Sequence, residues 1–127
     1  MDTRHATCHC GAVEIVADFP EGLASARRCD CSFCLRRGAP AVTALGATLK
    51  VLRGADNLSL YTWGSHTAKH YFCKTCGIYV YHRRRSDPTQ CGVNLACIEG
   101  GNPRTHAETY GDIGWSDGVN PPSDRND

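Results

Sequence analysis

The chain has 127 residues, a length that fits one small domain. Its 14 Lys and Arg residues almost balance its 13 Asp and Glu residues, and a net charge of +1 gives no overall attraction to nucleic acid or to an anionic membrane. We therefore expect no binding of nucleic acid. No apolar run approaches the roughly 20 residues that span a bilayer, and the first residues lack the apolar stretch of a secretory signal. We therefore also expect a cytoplasmic protein that does not bind a membrane.

The predicted elements are short strands separated by Gly and Pro. β-Branched and aromatic residues, with polar–apolar alternation in places, predict strands over residues 12–17, 40–45, 48–52, 57–63 and 92–98. Residues 70–72 and 78–82 predict the two arms of a hairpin, and only residues 21–28 could form a helical turn. The fold class is therefore mainly β, with one domain over residues 1–115 and a polar, flexible tail over residues 116–127.

Nine cysteines stand out in a chain where Leu, Ile, Val and Phe together make up fewer than one residue in five. A small domain with so few core-forming side chains usually gains stability from metals or disulfides. Nine is an odd number, so the cysteines cannot all pair within one chain, and a cytoplasmic location would keep them reduced. We therefore expect metal sites, and seven of the cysteines fall into three short groups: Cys8 and Cys10; Cys29, Cys31 and Cys34; Cys73 and Cys76.

The first and third groups together predict a closed metal site. Each group has its two cysteines at a tight turn and is followed directly by a glycine, Gly11 or Gly77, which permits a positive φ. Four sulfurs from two such turns can form the tetrahedron that zinc prefers, with Zn–S distances of about 2.3 Å. The alternative is a redox C-x-x-C motif, which would need a βαβ context that this sequence does not predict. A structural zinc would tie the start of the chain to a hairpin more than sixty residues later.

The middle group predicts a second metal site of a different kind. Three thiolates from Cys29, Cys31 and Cys34 can hold zinc and leave a fourth position open, which is typical of catalytic zinc. A structural site whose fourth ligand comes from elsewhere is the alternative that the spacing leaves open. The residues that could supply that ligand are Cys91, Cys97, His66, His70 and His82.

Several segments resemble a known family, the glutathione-dependent formaldehyde-activating enzymes, to which centromere protein V also belongs. The segments that carry this resemblance are residues 8–13 (CHCGAV), 29–34 (CDCSFC), 71–78 (YFCKTCGI) and 93–98 (VNLACI). The resemblance extends over about residues 3–103 of the chain. It implies a β-tent fold, in which small antiparallel sheets are pinned by a structural zinc.

The resemblance also implies two zinc ions per chain and a reaction. The residues that match the structural zinc ligands of the family are Cys8, Cys10, Cys73 and Cys76, and those that match its catalytic zinc ligands are Cys29, Cys31 and Cys34. The implied reaction is the reversible addition of the glutathione thiol to formaldehyde, which gives S-hydroxymethylglutathione, and the family is classed with carbon–sulfur lyases. A zinc-binding module without catalysis, for interaction with protein or nucleic acid, is the alternative function.

Other polar residues near these groups have less specific interpretations. The basic residues that flank the triplet could attract the carboxylates of a thiol such as glutathione, or could simply be solvated surface; they are Arg27, Arg28, Arg36 and Arg37. His66, His70 and His82 are candidate proton donors, although a His on a strand is more often structural. We expect Cys91 and Cys97 to be buried apolar residues, with Cys97 in a strand. The sequence leaves the oligomeric state open.

Overall fold

The computed structural model describes residues 2–117 and is mainly β, as predicted. None of the helices in that part of the chain is long and apolar enough to cross a membrane. Two short helices are present, α1 over Ser32–Arg37 and α2 over His106–Tyr110. The strands are β1 Asp2–Thr7, β2 Glu14–Phe19, β3 Arg27–Cys29, β4 Ala41–Leu45, β5 Lys50–Arg53, β6 Leu58–Tyr61, β7 Lys69–Cys73, β8 Tyr79–Arg83, β9 Gln90–Asn94 and β10 Gly114–Ser116.

The strands form two sheets. One sheet has three antiparallel strands in the order β1-β2-β5, and the other has seven in the order β10-β3-β4-β9-β8-β7-β6. Pairing in the larger sheet is antiparallel, apart from the parallel pair of β10 with β3. The predicted hairpin is formed by β7 and β8, and the third cysteine group lies at the end of β7 and in the turn that follows.

One core joins the two sheets. Alternate residues of β2 are buried, as expected for a strand with one face inward, and they are Ile15, Ala17 and Phe19. They pack in the same cluster as Val42 of β4 and Val93 of β9. The core is thin, because most of its other members are alanines, valines and cysteines. A core of this composition is consistent with additional stabilisation by metal.

Several elements differ from the prediction. The segment predicted as a helical turn contains a 3-10 turn over Gly22–Ser25 and then strand β3. Neither helix was predicted, since five or six residues are too few to show helical periodicity. The sequence also gave no signal for β1, in which only one of six side chains is buried, or for the three-residue strands β3 and β10.

The end of the described chain lies against the segment that carries the cysteine triplet. Ser116, the first residue of the predicted tail, is buried in β10, and its carbonyl oxygen accepts a hydrogen bond of 3.2 Å from the Asp30 amide. Arg27 donates from Nε to the Ser116 hydroxyl at 3.3 Å. The remainder of the predicted tail, residues 118–127, lies outside the described residues.

Candidate metal centres

The first cluster brings together Cys8, Cys10, Cys73 and Cys76, the four residues predicted for a closed site. Cys8 and Cys10 lie in the turn from β1 to β2, and the other two lie at the end of β7 and in the turn that follows. The Sγ atoms of Cys8 and Cys10 are 3.7 Å apart, and so are those of Cys10 and Cys73. A tetrahedron with Zn–S distances of about 2.3 Å has edges of about 3.8 Å, whereas a disulfide would need about 2.05 Å. The geometry therefore fits a zinc ion.

Hydrogen bonds lower the pKa of Cys73 and Cys76 and favour their thiolate forms, whereas burial and the neighbouring thiols raise the pKa of Cys10 to about 11. The Val13 amide donates to Cys8 Sγ at 3.3 Å, and the Asn57 side-chain amide donates to Cys73 Sγ at 3.4 Å. The pKa of Cys76 is lowered to about 6, chiefly because the backbone N–H groups of Cys10 and Ile78 donate to its sulfur. Thiolates are the metal-binding form of cysteine, so these donors prepare the cluster for a cation.

Gly54 shapes the loop that carries Cys8 and Cys10. Its φ is +81°, and a Cβ at this position would overlap the Ala12 carbonyl oxygen. The turn after β5 can therefore lie directly on the backbone of the cysteine-bearing loop only because residue 54 has no side chain. The N-terminal side of the cluster is thus held by the small sheet, whereas its other side belongs to the seven-stranded sheet.

The second cluster consists of Cys29, Cys31 and Cys34, whose sulfurs all lie within 4.8 Å of one another. Cys29 ends β3, Cys31 is the N-cap of α1, and Cys34 lies in the first turn of that helix. The Cys31 sulfur accepts a hydrogen bond of 3.3 Å from the Cys34 amide, in the way that a Ser or Asp caps a helix. Residues 29–34 converge because the chain changes from strand to helix at this cap.

The triplet is buried and its thiols interact strongly. The pKa of Cys31 is lowered far below its usual value, because the thiols of Cys29 and Cys34 donate to it and backbone amides add to the effect. The pKa of Cys34 is raised, since Cys29 and Cys31 compete with it for the negative charge. Arg37 donates from its second terminal nitrogen to the Cys34 sulfur at 3.5 Å. Three thiolates can be held together here only with additional positive charge, which a metal ion would supply.

No fourth His, Cys, Asp or Glu side chain joins the triplet within residues 2–117. His82 is instead in contact with the Tyr79 hydroxyl at 2.5 Å, and His70 stacks on His82. His66 contacts the Thr62 hydroxyl at 2.8 Å. The three histidines that were candidates for a fourth ligand of the triplet therefore contact other residues instead.

The two remaining cysteines are also placed away from the triplet. Cys91 is fully buried in β9, in agreement with the prediction. The prediction that Cys97 lies in a strand is wrong, because residues Leu95–Cys97 form a 3-10 turn capped by the Asn94 side chain. Cys97 is only partly buried, and its sulfur lies 3.6 Å from the Tyr79 carbonyl oxygen.

The four flanking arginines separate into two pairs. Arg27 donates to the Trp115 carbonyl oxygen, and the Arg28 guanidinium lies over the Trp115 ring, so both contact β10. Arg36 and Arg37 line a cavity on the other side of the triplet. Arg36 and Arg37 are therefore the pair placed to bind the carboxylates of a ligand in the cavity. Arg27 and Arg28 instead contact strand β10.

The cavity has a volume of about 580 Å³ and lies between α1 and strands β6 to β8. Phe33 belongs both to its wall and to the apolar shell of the triplet, to which Trp63 also contributes. Arg37 spans the same wall, because its guanidinium lies 3.7 Å from the centre of the Tyr79 ring and also reaches Cys34. Gly77 and Ile78, which follow Cys76, also line the cavity. This cavity could not be predicted from the sequence, since its walls come from segments far apart in the chain.

His70 lies at the back of this cavity as a neutral imidazole. Burial and then the nearby Arg37 charge lower its pKa to about 4. Its Nδ1 is 3.0 Å from the first terminal nitrogen of Arg37, which can only donate. The proton of the neutral ring therefore resides on Nε2, and this buried atom has no hydrogen-bond partner among the described residues. The ring stacks on His82 and packs at a tilt of 57° against Phe33.

Fold and site together define a small, mainly β protein built around two cysteine clusters able to hold metal ions. The family model of the glutathione-dependent formaldehyde-activating enzyme matches residues 3–112, and the chain belongs to that family. A crystal structure of a Rhodobacter sphaeroides protein is similar, with 57% sequence identity and a TM-score of 0.82. The match covers 88% of this chain and 99% of the Rhodobacter chain.

Proposed function

We propose that the chain is a zinc-dependent carbon–sulfur lyase that acts on an adduct of a small thiol and an aldehyde, like S-hydroxymethylglutathione. Membership of the formaldehyde-activating family supports glutathione and formaldehyde as the first substrates to test. The observation that carries the proposal is the triplet of Cys29, Cys31 and Cys34, which offers three buried sulfurs next to a cavity and has no fourth ligand among residues 2–117. This is the ligand number of catalytic zinc.

The two clusters have different roles in this proposal. The cluster of Cys8, Cys10, Cys73 and Cys76 would hold a structural zinc that pins a β-tent, and the triplet would hold the catalytic one, which gives two zinc ions per chain. None of the nine cysteines, all of which lie within residues 2–117, forms a disulfide, in keeping with the reducing cytoplasm that we propose as the location. The single domain would end near residue 115, close to the end of strand β10 at Ser116.

The proposed reaction requires little covalent chemistry from the protein. In the addition, the thiol sulfur forms a bond to the aldehyde carbon, the C=O double bond becomes a single bond, and the thiol proton finally resides on the aldehyde oxygen. Cys29, Cys31 and Cys34 would hold the zinc ion, which would supply positive charge that favours the thiolate form of a thiol near neutral pH. Arg37 lies beside Cys34 and contributes positive charge at the same place. The cavity beside the triplet would orient the substrate toward it.

Metal content and exchange kinetics test the proposal. The zinc-loaded protein should accelerate exchange among glutathione, formaldehyde and S-hydroxymethylglutathione, followed at equilibrium by NMR exchange spectroscopy. Cys31→Ser should lose about one metal ion per chain and this acceleration, and should keep its circular-dichroism spectrum. Cys97→Ser, which alters a cysteine outside both clusters, is the matched control and should resemble the wild type.

Two results would contradict the proposal. If Cys31→Ser accelerates the exchange as well as the wild type does, the triplet is not the catalytic site. If cobalt-substituted wild-type protein shows no change in its thiolate-to-cobalt absorption with any thiol, no open position is available and a non-catalytic zinc module is favoured.

A further inference from the structure

The cavity beside the triplet has aromatic and aliphatic walls, which a ligand as small as formaldehyde would hardly contact. Its aromatic residues include Phe33, Tyr61 and Tyr71, and Ile78 adds an aliphatic side chain. The rings of Phe33 and Tyr61 are 5.2 Å apart and tilted by 32°, so they form a continuous apolar surface. A volume of about 580 Å³ with such walls is in the range of sites for small organic ligands that carry a ring. Formaldehyde has a single carbon and would leave most of this surface without a partner.

The charged residues at the same cavity are all positive. Arg36 and Arg37 line it, and no Asp or Glu is among the lining residues that the structure describes. Arg37 is already engaged with Cys34, His70 and the Tyr79 ring. Arg36 is exposed and donates from one terminal nitrogen to the Ser32 carbonyl oxygen at 2.6 Å. A guanidinium held in this way at the rim can bind a carboxylate through its other edge.

We propose that this cavity binds small molecules with one aromatic ring and one carboxylate, and that the thiol–aldehyde adduct processed by the chain carries such a group. The ring would lie on the surface formed by Phe33, Tyr61 and Ile78, and the carboxylate would pair with Arg36. Because Phe33 and Arg37 belong to the cavity and also contact the triplet, a ligand held here has its reacting end beside Cys34. The substrate assignment rests on the function proposed above, whereas the binding of the aromatic carboxylate can be measured without any reaction.

The binding test uses 3-phenylpropanoate, a probe that contains no sulfur, with the zinc-loaded full-length protein. Amide chemical shifts of Gly77 and Ile78 report occupation of the cavity. We expect 3-phenylpropanoate to bind at least 10-fold more tightly than propanoate, which lacks the ring, and at least 10-fold more tightly than 3-phenylpropanol, which lacks the charge. Size-exclusion chromatography at the same protein concentrations shows whether a second copy of the chain covers the cavity instead.

Matched variants separate the two parts of the interaction. Tyr61→Ala should weaken binding of 3-phenylpropanoate by about 3- to 10-fold, the range of one aromatic contact. Leu60→Ala is its control, because Leu60 lies on the same edge strand, is about half exposed as Tyr61 is, and does not line the cavity. Arg36→Gln should weaken binding of the carboxylate by about 10-fold or more, and Arg104→Gln, at an exposed arginine elsewhere, should not change it.

The link to the triplet is tested with a thiol of the same skeleton. In cobalt-substituted protein, 2-mercapto-3-phenylpropanoate should change the thiolate-to-cobalt absorption at lower concentration than 2-mercaptopropanoate does, and 3-phenylpropanoate should compete with it. Any one of three results would overturn the inference. They are equal affinities for ring-bearing and ring-free probes, unchanged binding of 3-phenylpropanoate in Arg36→Gln, and a dimer that excludes the probes from the cavity. If glutathione still changes the cobalt spectrum in that case, the proposed function stands without it. If 3-phenylpropanoate binds and no thiol reaches the cobalt, the proposed function and the substrate assignment fall together.

Discussion

Loss of the first cluster should cost more stability than loss of the triplet, because the two clusters close loops of very different length. Cys10 and Cys73 are separated by 63 residues. Cross-linking a loop of that length lowers the entropy of the unfolded chain by an amount worth about 4 kcal/mol, whereas a loop of about six residues, as in the triplet, is worth about 2 kcal/mol. We therefore expect a difference of about 2 kcal/mol between the two sites, before any difference in metal affinity. Small domains have only about 5–15 kcal/mol in total.

Two double variants measure this difference. Cys73→Ser with Cys76→Ser removes one whole side of the first cluster, and Cys29→Ser with Cys31→Ser removes most of the second. Urea unfolding of the metal-loaded proteins, followed by far-ultraviolet circular dichroism, should give the lower free energy of unfolding for the first variant. Wild-type protein treated with a strong chelator loses the metal of both sites and should have a free energy of unfolding lower than that of either double variant. Equal free energies of unfolding for the two double variants would refute the loop-closure reasoning.

Arg37 and His70 give two further predictions. Arg37→Gln removes the donor to Cys34 and should lower the zinc affinity of the triplet by about 10-fold in chelator competition, with partial recovery in Arg37→Lys and no change in Arg36→Gln. Equal losses in both Gln variants would mean that proximity to Cys34 is irrelevant. His70 has a pKa lowered from 6.5 to about 4, so below pH 6.5 the unfolded chain binds the proton and the folded chain does not. The contribution of neutral His70 to the free energy of unfolding should be complete above pH 6.5. It should decrease by up to about 1.4 kcal/mol for each pH unit between pH 6.5 and pH 4. His70→Gln should remove this part of the slope in urea unfolding, and an unchanged slope would show that His70 is not its source.

The sequence was most informative where function depends on residue type and short spacing. Both cysteine clusters were predicted with all of their members, because thiols one or two residues apart at a turn have few alternatives in a reduced protein. The strands of the larger sheet were predicted where apolar residues are frequent, as in β4 and β8. Both are local signals, which a reader of the sequence can evaluate without knowing the fold.

The features that the sequence did not predict depend on tertiary contacts. β1 has one buried residue of six and is a strand because β2 pairs with it along its whole length. The Arg pairs on the two sides of the triplet look equivalent in the sequence, and they separate only because β10 returns to lie beside β3. Helix α1 is too short to show periodicity, and its cap is a cysteine rather than the usual Ser or Asp.

The arrangement of the two clusters gives a physical reason for assigning them different functions. The first cluster has its ligands on two segments that belong to different sheets, so a metal there would add a link between sheets that otherwise share only a thin core. The triplet has all its ligands within residues 29–34, so a metal there would constrain little of the fold. A metal site that contributes little to the free energy of unfolding can leave one coordination position open for substrate without destabilising the domain. The cavity lies beside the triplet, between the helix that carries Cys34 and the hairpin that carries Cys73 and Cys76. The first cluster would therefore hold in place one wall of the cavity that the second cluster uses.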